Sequence, residues 1–181
     1  MIRLFVGIAL PEHIRATLHQ YMRPEWPGTR WVNPKQLHLT LQFLGNTPEQ
    51  RLPEIQYALS SIQASAFSLS IKGVGVFPSP NRARVLWAGV VPSPALMDLQ
   101  QAIQQALHPL GYPPEKRPYH PHITLARFKG KAPDSLAEYL EHNHTLALQP
   151  FPVDTYTLFQ STLRRTGAVY TPIAQFPLLP A

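Results

Sequence analysis

His38-Leu39-Thr40-Leu41 and His122-Ile123-Thr124-Leu125 are the two stretches on which the fold turns, because each closes one copy of a repeated unit. Working outward from the first, an apolar run Leu4-Phe5-Val6-Gly7-Ile8-Ala9-Leu10 is stopped by Pro11 and followed by a segment with helical character from Glu12 to about Met22. A loop then leads to His38. Working outward from the second, Val85-Leu86-Trp87-Ala88-Gly89-Val90-Val91 is stopped by Pro92, and a segment from Pro94 to His108 leads through a loop to His122. In that segment Leu96, Leu99, Ile103, Ala106, Leu107 and Leu110 recur near helical spacing, an amphipathic face. The offset from Leu4 to Val85 nearly equals that from His38 to His122, so each half reads as strand, helix, strand. Past the motifs the likeness continues, with helical patterns over Pro48 to Ile62 and Pro133 to His142, and strand patterns over Phe67 to Phe77 and Val153 to Ser161. The expectation is an α+β protein. One 2-lobed domain over residues 1–181 arises from an internal duplication, each lobe a sheet with helices outside and the active site in the central groove.

Successive side chains of a strand point to opposite faces, so a regular strand puts His38, Thr40 and Gln42 on one face and Leu39, Leu41 and Phe43 on the other. His122 and Thr124 likewise stand opposite Ile123 and Leu125. A single His-x-Thr strand is commonplace; two at matching positions of an internal repeat bring two imidazoles and two hydroxyls to one groove. An imidazole with an ordinary pKa near ~6.5 serves as base in one protonation state and acid in the other. The pair thus suits phosphodiester chemistry without a metal or a covalent intermediate. The threonine hydroxyls can donate to non-bridging phosphoryl oxygens.

Composition permits this reading. The chain has 181 residues, 44% of them apolar, and only 14% charged against roughly 25% in ordinary soluble proteins. Its 21 prolines stand singly between patterned apolar runs and punctuate loops. The net charge of +6 favours a polyanion over a cationic partner, with the excess gathered in Arg82/Arg84, Lys116/Arg117, Arg127/Lys129/Lys131 and Arg164/Arg165. With no cysteine, thiolate nucleophiles, disulfides and cysteine-zinc sites are excluded, and the cytoplasm is the expected compartment. No run approaches the ~20 apolar residues of a membrane span, so no membrane partner is expected. Leu4 to Leu10 is too short for a signal peptide and reads as a buried strand.

Together these stretches resemble the 2H phosphoesterase superfamily, and within it the RNA 2',3'-cyclic phosphodiesterases, historically called 2'-5' RNA ligases. The similarity runs over almost the whole chain. Besides the two motifs it takes in Arg3-Leu4-Phe5-Val6 with Leu10-Pro11, Trp31, and Leu37 through Gly45. It continues through Phe77-Pro78-Ser79-Pro80, Arg84-Val85-Leu86-Trp87, Tyr119 through Arg127, and Phe159-Gln160-Ser161 with Gly167 and Tyr170. The resemblance implies hydrolysis of an RNA terminal 2',3'-cyclic phosphate to a 2'-phosphate, with no cofactor and no metal. In it His122 is the proton acceptor acting on water and His38 the proton donor to the departing 3' oxygen. The reverse reaction would join a cyclic end to a 5'-hydroxyl through a 2'-5' linkage. The implied partner is RNA with 2',3'-cyclic phosphate ends, acted on by a monomer with no obligate protein partner. Arg127 is carried over as a phosphate contact, although regular alternation would place it with Ile123 and Leu125; a bulge in the strand would bring it to the histidine face.

Several other residues could bear on the chemistry. His120 lies two before His122, and His142 two before His144, but catalytic zinc generally uses three protein ligands and no carboxylate lies close to either motif, so His120 is read as supporting the site loop. Trp31 and Tyr119, in loops before the motifs, are the preferred faces for a stacked base, whereas Phe43 and Trp87 are assigned to apolar strand faces. His13, His19 and His108 are read as surface residues. Three alternatives remain at this stage: a 2H phosphodiesterase acting on another cyclic phosphate or a 2'-5' oligonucleotide, a non-catalytic RNA-binding module, and a metal hydrolase.

Overall fold

The computed structural model describes residues 1–181. The apolar run at the start forms β1 (Ile2–Ala9), buried on both faces from Leu4 to Ile8 and therefore central in its sheet. Pro11, extended at φ −60° and ψ 153°, opens α1 (Glu12–His19), which buries Ile14 and Leu18 and leaves His13 and His19 exposed. The helix ends three residues short of Met22. A short strand β2 (Thr29–Trp31) precedes β3 (His38–Thr47), and α2 (Leu52–Ser60), β4 (Phe67–Leu69) and β5 (Ile71–Phe77) complete the first half. The second half runs β6 (Val85–Val90), α3 (Pro94–Leu107), β7 (His122–Phe128), α4 (Leu136–Asn143), β8 (Phe151–Val153), β9 (Thr155–Arg164) and β10 (Gly167–Pro177). Ser93 caps α3 by accepting from the Leu96 amide at 3.3 Å, and the helix buries Leu96, Leu99, Ile103 and Leu107, the face its spacing predicts.

Two four-stranded antiparallel sheets result, ordered β10-β9-β1-β3 and β2-β7-β6-β5, with β4 and β8 paired separately. The expected duplication is present, but the halves exchange strands. β5 leaves the first half to pair with β6, and β9 leaves the second half to pair with β1. The β4 and β8 segments that make these crossings pair with each other through Ser68 opposite Pro152. A lobe is therefore not a half of the sequence, and periodicity within a half carries no information about this exchange. β2 and β10 are additions without a counterpart. The two prolines of β10, Pro172 and Pro177, are tolerated because the strand lies at a sheet edge.

The two motif strands share a further irregularity. In the first sheet Val6 faces Gln42 and Gly7 faces Thr40, leaving Leu41 unpaired; in the second Leu86 faces Ala126 and Trp87 faces Thr124, leaving Leu125 unpaired. Both are β-bulges at the equivalent place. Each bulged leucine is fully buried, and each of their carbonyls finds a donor. Gln100 Nε2, on α3, reaches Leu41 O at 3.3 Å, and the Val32 amide reaches Leu125 O at 2.9 Å. One apolar cluster joins residues of both sheets and all four helices beneath the groove. No helix is long and apolar enough to cross a membrane.

Candidate active site

His38 and His122 each open their motif strand, and β3 and β7 approach one another across the groove. Their rings are held in the same way. His38 Nδ1 lies 2.9 Å from the Gln36 carbonyl and His122 Nδ1 lies 2.7 Å from the His120 carbonyl, in each case two residues back. A carbonyl only accepts, so Nδ1 carries the proton and donates it in both rings. Nε2 is left to do chemistry. His38 Nε2 sits 3.0 Å from Thr40 Oγ1, and in the neutral ring it accepts from that hydroxyl. Aromatic rings wall both imidazoles: Phe5 and Tyr170 stand 4.8 and 5.0 Å from His38, and Phe77 stands 4.9 Å from His122, edge to face. Gly7 lies under His38 because a Cβ there would come within 2.8 Å of the Leu39 carbonyl. Gln36 fixes the other wall, donating from Nε2 to Ala168 O at 2.6 Å and accepting from the Tyr170 amide at 2.7 Å.

This surrounding lowers both histidine pKa values from the ordinary range. For His38 the main cause is burial, which disfavours the imidazolium; the Gln36 carbonyl opposes it, and His122 and Arg127 add to the lowering. For His122 burial again leads, opposed by the His120 carbonyl, with His120 and Arg127 lowering it further. Arg127 acts in the same sense on both rings, which therefore lie within reach of one cation. An anion placed between them would raise both.

The bulges decide which side chains accompany them. Past Leu125 the alternation of β7 reverses, so Ala126 is buried and Arg127 is exposed on the face of His122 and Thr124, as a bulge requires. The same reversal past Leu41 overturns the regular-strand expectation for β3. Gln42 is buried at 6% exposure, and Phe43 stands 59% exposed on the face of His38 and Thr40. Phe43 and Arg127 are thus equivalent residues of the two lobes. The signal was available in the repeat: a bulge that rescues Arg127 in one copy moves Phe43 in the other. Trp87 is corrected similarly, since it faces Thr124 in the ladder and its ring lies 5.0 Å from His120 and 6.3 Å from His122.

The two preferred stacking residues are placed otherwise. Trp31 pairs with buried Ala126, packs 5.6 Å from Trp26 and donates Nε1 to the Arg23 carbonyl at 2.9 Å, so its ring belongs to the core side of β2. Tyr119 is half-buried, and its hydroxyl donates to the Thr40 carbonyl at 2.7 Å, tying the loop before the second motif to the first motif strand. Burial raises its pKa far above the usual phenol range. Through that hydroxyl it braces the site. His120 supplies the carbonyl that orients His122 and leaves its own ring exposed beside Phe77 at 5.3 Å. Nowhere in the chain do three His, Cys, Asp or Glu side chains gather as a metal would require.

The model of the 2'-5' RNA ligase superfamily matches residues 10–165. The chain belongs to this superfamily. An RNA 2',3'-cyclic phosphodiesterase of Methanothermobacter thermautotrophicus is 31% identical over 98% of this chain and 99% of its own length, and one of Thermus thermophilus is 33% identical over 97% and 90%. Among solved structures, a Thermus thermophilus protein superposes with a TM-score of 0.83 at 31% identity, covering 98% of each chain. E. coli LigT complexed with 3'-AMP superposes with a TM-score of 0.78 at 28% identity, again over 98% of each chain. In this chain the two His-x-Thr strands meet at one groove.

Proposed function

We propose that this protein hydrolyses RNA terminal 2',3'-cyclic phosphates to 2'-phosphates by metal-independent acid-base catalysis at His38 and His122. The observation that carries the reading is the matched pair of imidazoles, each with Nδ1 committed to a backbone carbonyl and Nε2 left toward the groove. His122 Nε2 takes a proton from water as the water oxygen bonds to phosphorus. The bond from phosphorus to the 3' oxygen breaks, and His38, protonated, delivers its proton to that oxygen. One water is consumed, and the two imidazoles exchange protonation states. Thr40 and Thr124 donate to the non-bridging oxygens, and the Arg127 guanidinium compensates their charge. Phe43, exposed on the opposite wall, offers its face to the terminal base.

Relatives named RNA 2',3'-cyclic phosphodiesterase and LigT structures holding 3'-AMP, NADP+, ATP and phosphate support a nucleotide-phosphate substrate. By microscopic reversibility the same groups can join a cyclic end to a 5'-hydroxyl, although water favours hydrolysis. The test is incubation of RNA ending in a 2',3'-cyclic phosphate with the protein in EDTA. Undiminished conversion to the 2'-phosphate is expected; loss of turnover in chelator, or a 3'-phosphate product, would refute the mechanism.

A further inference from the structure

The two walls of the groove differ one row beyond the histidines. On the first sheet, Phe43 pairs with Phe5 and Phe5 with Phe159, an aromatic row. On the second, Arg127 pairs with Arg30 of β2. Residues opposed across an antiparallel ladder share a face, with Cβ atoms about 4.5–5.5 Å apart, so Arg30 stands beside Arg127 on the histidine side. Both side chains are exposed, and neither takes part in an ion pair. Two like charges directly opposed destabilise a sheet, a cost that an anion lying across them removes.

Further cations lie past the end of β7, where the surface turns from the histidine face toward α4. Along β7, away from His122, Arg84 O accepts from the Phe128 amide at 2.9 Å, and Arg84 Nη1 donates to Gly130 O at 3.0 Å. Arg84, Arg82 and Lys131 line a cavity of ≈ 530 Å³ between the loop before β6 and the start of α4. Its single lining carboxylate, Asp134, is fully exposed and 3.8 Å from Lys131. From His122 to Gly130 extended chain covers roughly 25 Å at ~3.3 Å per residue, a span of several nucleotides.

We propose that this flank of the second lobe is the track for the RNA body on the 5' side of the reacting end. Arg30, beside Arg127, takes the phosphodiester next to the terminal nucleotide, and the cavity of Arg82, Arg84 and Lys131 takes a phosphate farther along. The inference rests on the phosphodiesterase reading and adds where the RNA upstream of the reacting end lies, held by its backbone and not by base identity.

The test compares a nucleoside 2',3'-cyclic monophosphate with an RNA of about six nucleotides bearing the same cyclic end, using wild type, Arg30→Glu/Arg82→Glu and Arg30→Ala/Arg82→Ala at about 50 and 200 mM salt. Wild type should prefer the oligonucleotide about tenfold or more at low salt, and the preference should shrink as salt rises. Both double variants should lose that preference through KM, and in Arg30→Ala/Arg82→Ala mononucleotide turnover should stay within about twofold, which also reports an intact fold. Equal loss on both substrates, or an unchanged oligonucleotide KM, would overturn the track alone. Turnover of neither substrate by wild type would overturn the phosphodiesterase reading and the track with it.

Discussion

Burial holds both imidazoles below their usual pKa, and this fixes how the reaction responds to pH. The proposed mechanism needs one ring protonated and the other neutral, so the two titrations bound a bell, and the bell in kcat/KM reports the free enzyme. Since both values are lowered from 6.5, the maximum of kcat/KM lies on the acid side of 6.5. A bound phosphate stabilises the imidazolium forms, raises both values and moves the maximum of kcat to higher pH. Initial rates across pH check this: a kcat/KM maximum at neutral or alkaline pH would contradict the lowered values. At this scale the histidines and threonines were legible because they recur in a repeat. The commitment of each Nδ1 to a carbonyl was not, since it depends on backbone geometry two residues away. The bracing role of Tyr119 was hidden for the same reason, as its partner, the Thr40 carbonyl, lies in the other half of the chain.

At the scale of elements, the bulges at Leu41 and Leu125 turn two ordinary strands into walls with different chemistry. Alternation alone pointed correctly up to Leu41 and then failed at Gln42 and Phe43, because one extra residue reverses the side chains that follow it, until a second register shift at Leu44 restores the parity. Arg127 carried a visible conflict between family position and parity, and that conflict was the one local sign of a bulge. β5 shows how closely the aromatic wall is fitted: a Cβ on Gly75 would overlap the Trp87 ring, which packs beside His120 and Phe77. Gly75→Val should therefore destabilise the protein by about 1–3 kcal/mol through overpacking. It should also lower kcat by displacing the ring beside His122. Urea denaturation followed by tryptophan fluorescence measures the first effect; a wild-type midpoint would show that Trp87 is not confined as described.

For the molecule as a whole, the duplication was readable from the order of elements, and the architecture it produces was not. Short apolar runs such as Phe67–Leu69 carry no mark of which sheet they join, so the exchange of β5 and β9 emerges only when long-range pairing is seen. That exchange makes each sheet depend on both halves and sets the two motif strands against each other. The site is accordingly a property of the assembled molecule. On the proposed mechanism His38 and His122 act as one unit, each useless without the other. Measuring kcat on cyclic-phosphate-ended RNA for His38→Ala, His122→Ala and the double variant tests this most directly. Each single substitution should lower kcat by about 10²–10⁴-fold, and the double variant should fall little below the weaker single. Near wild-type turnover in either single variant, or losses that multiply in the double, would contradict the pairing of the two motifs into one site.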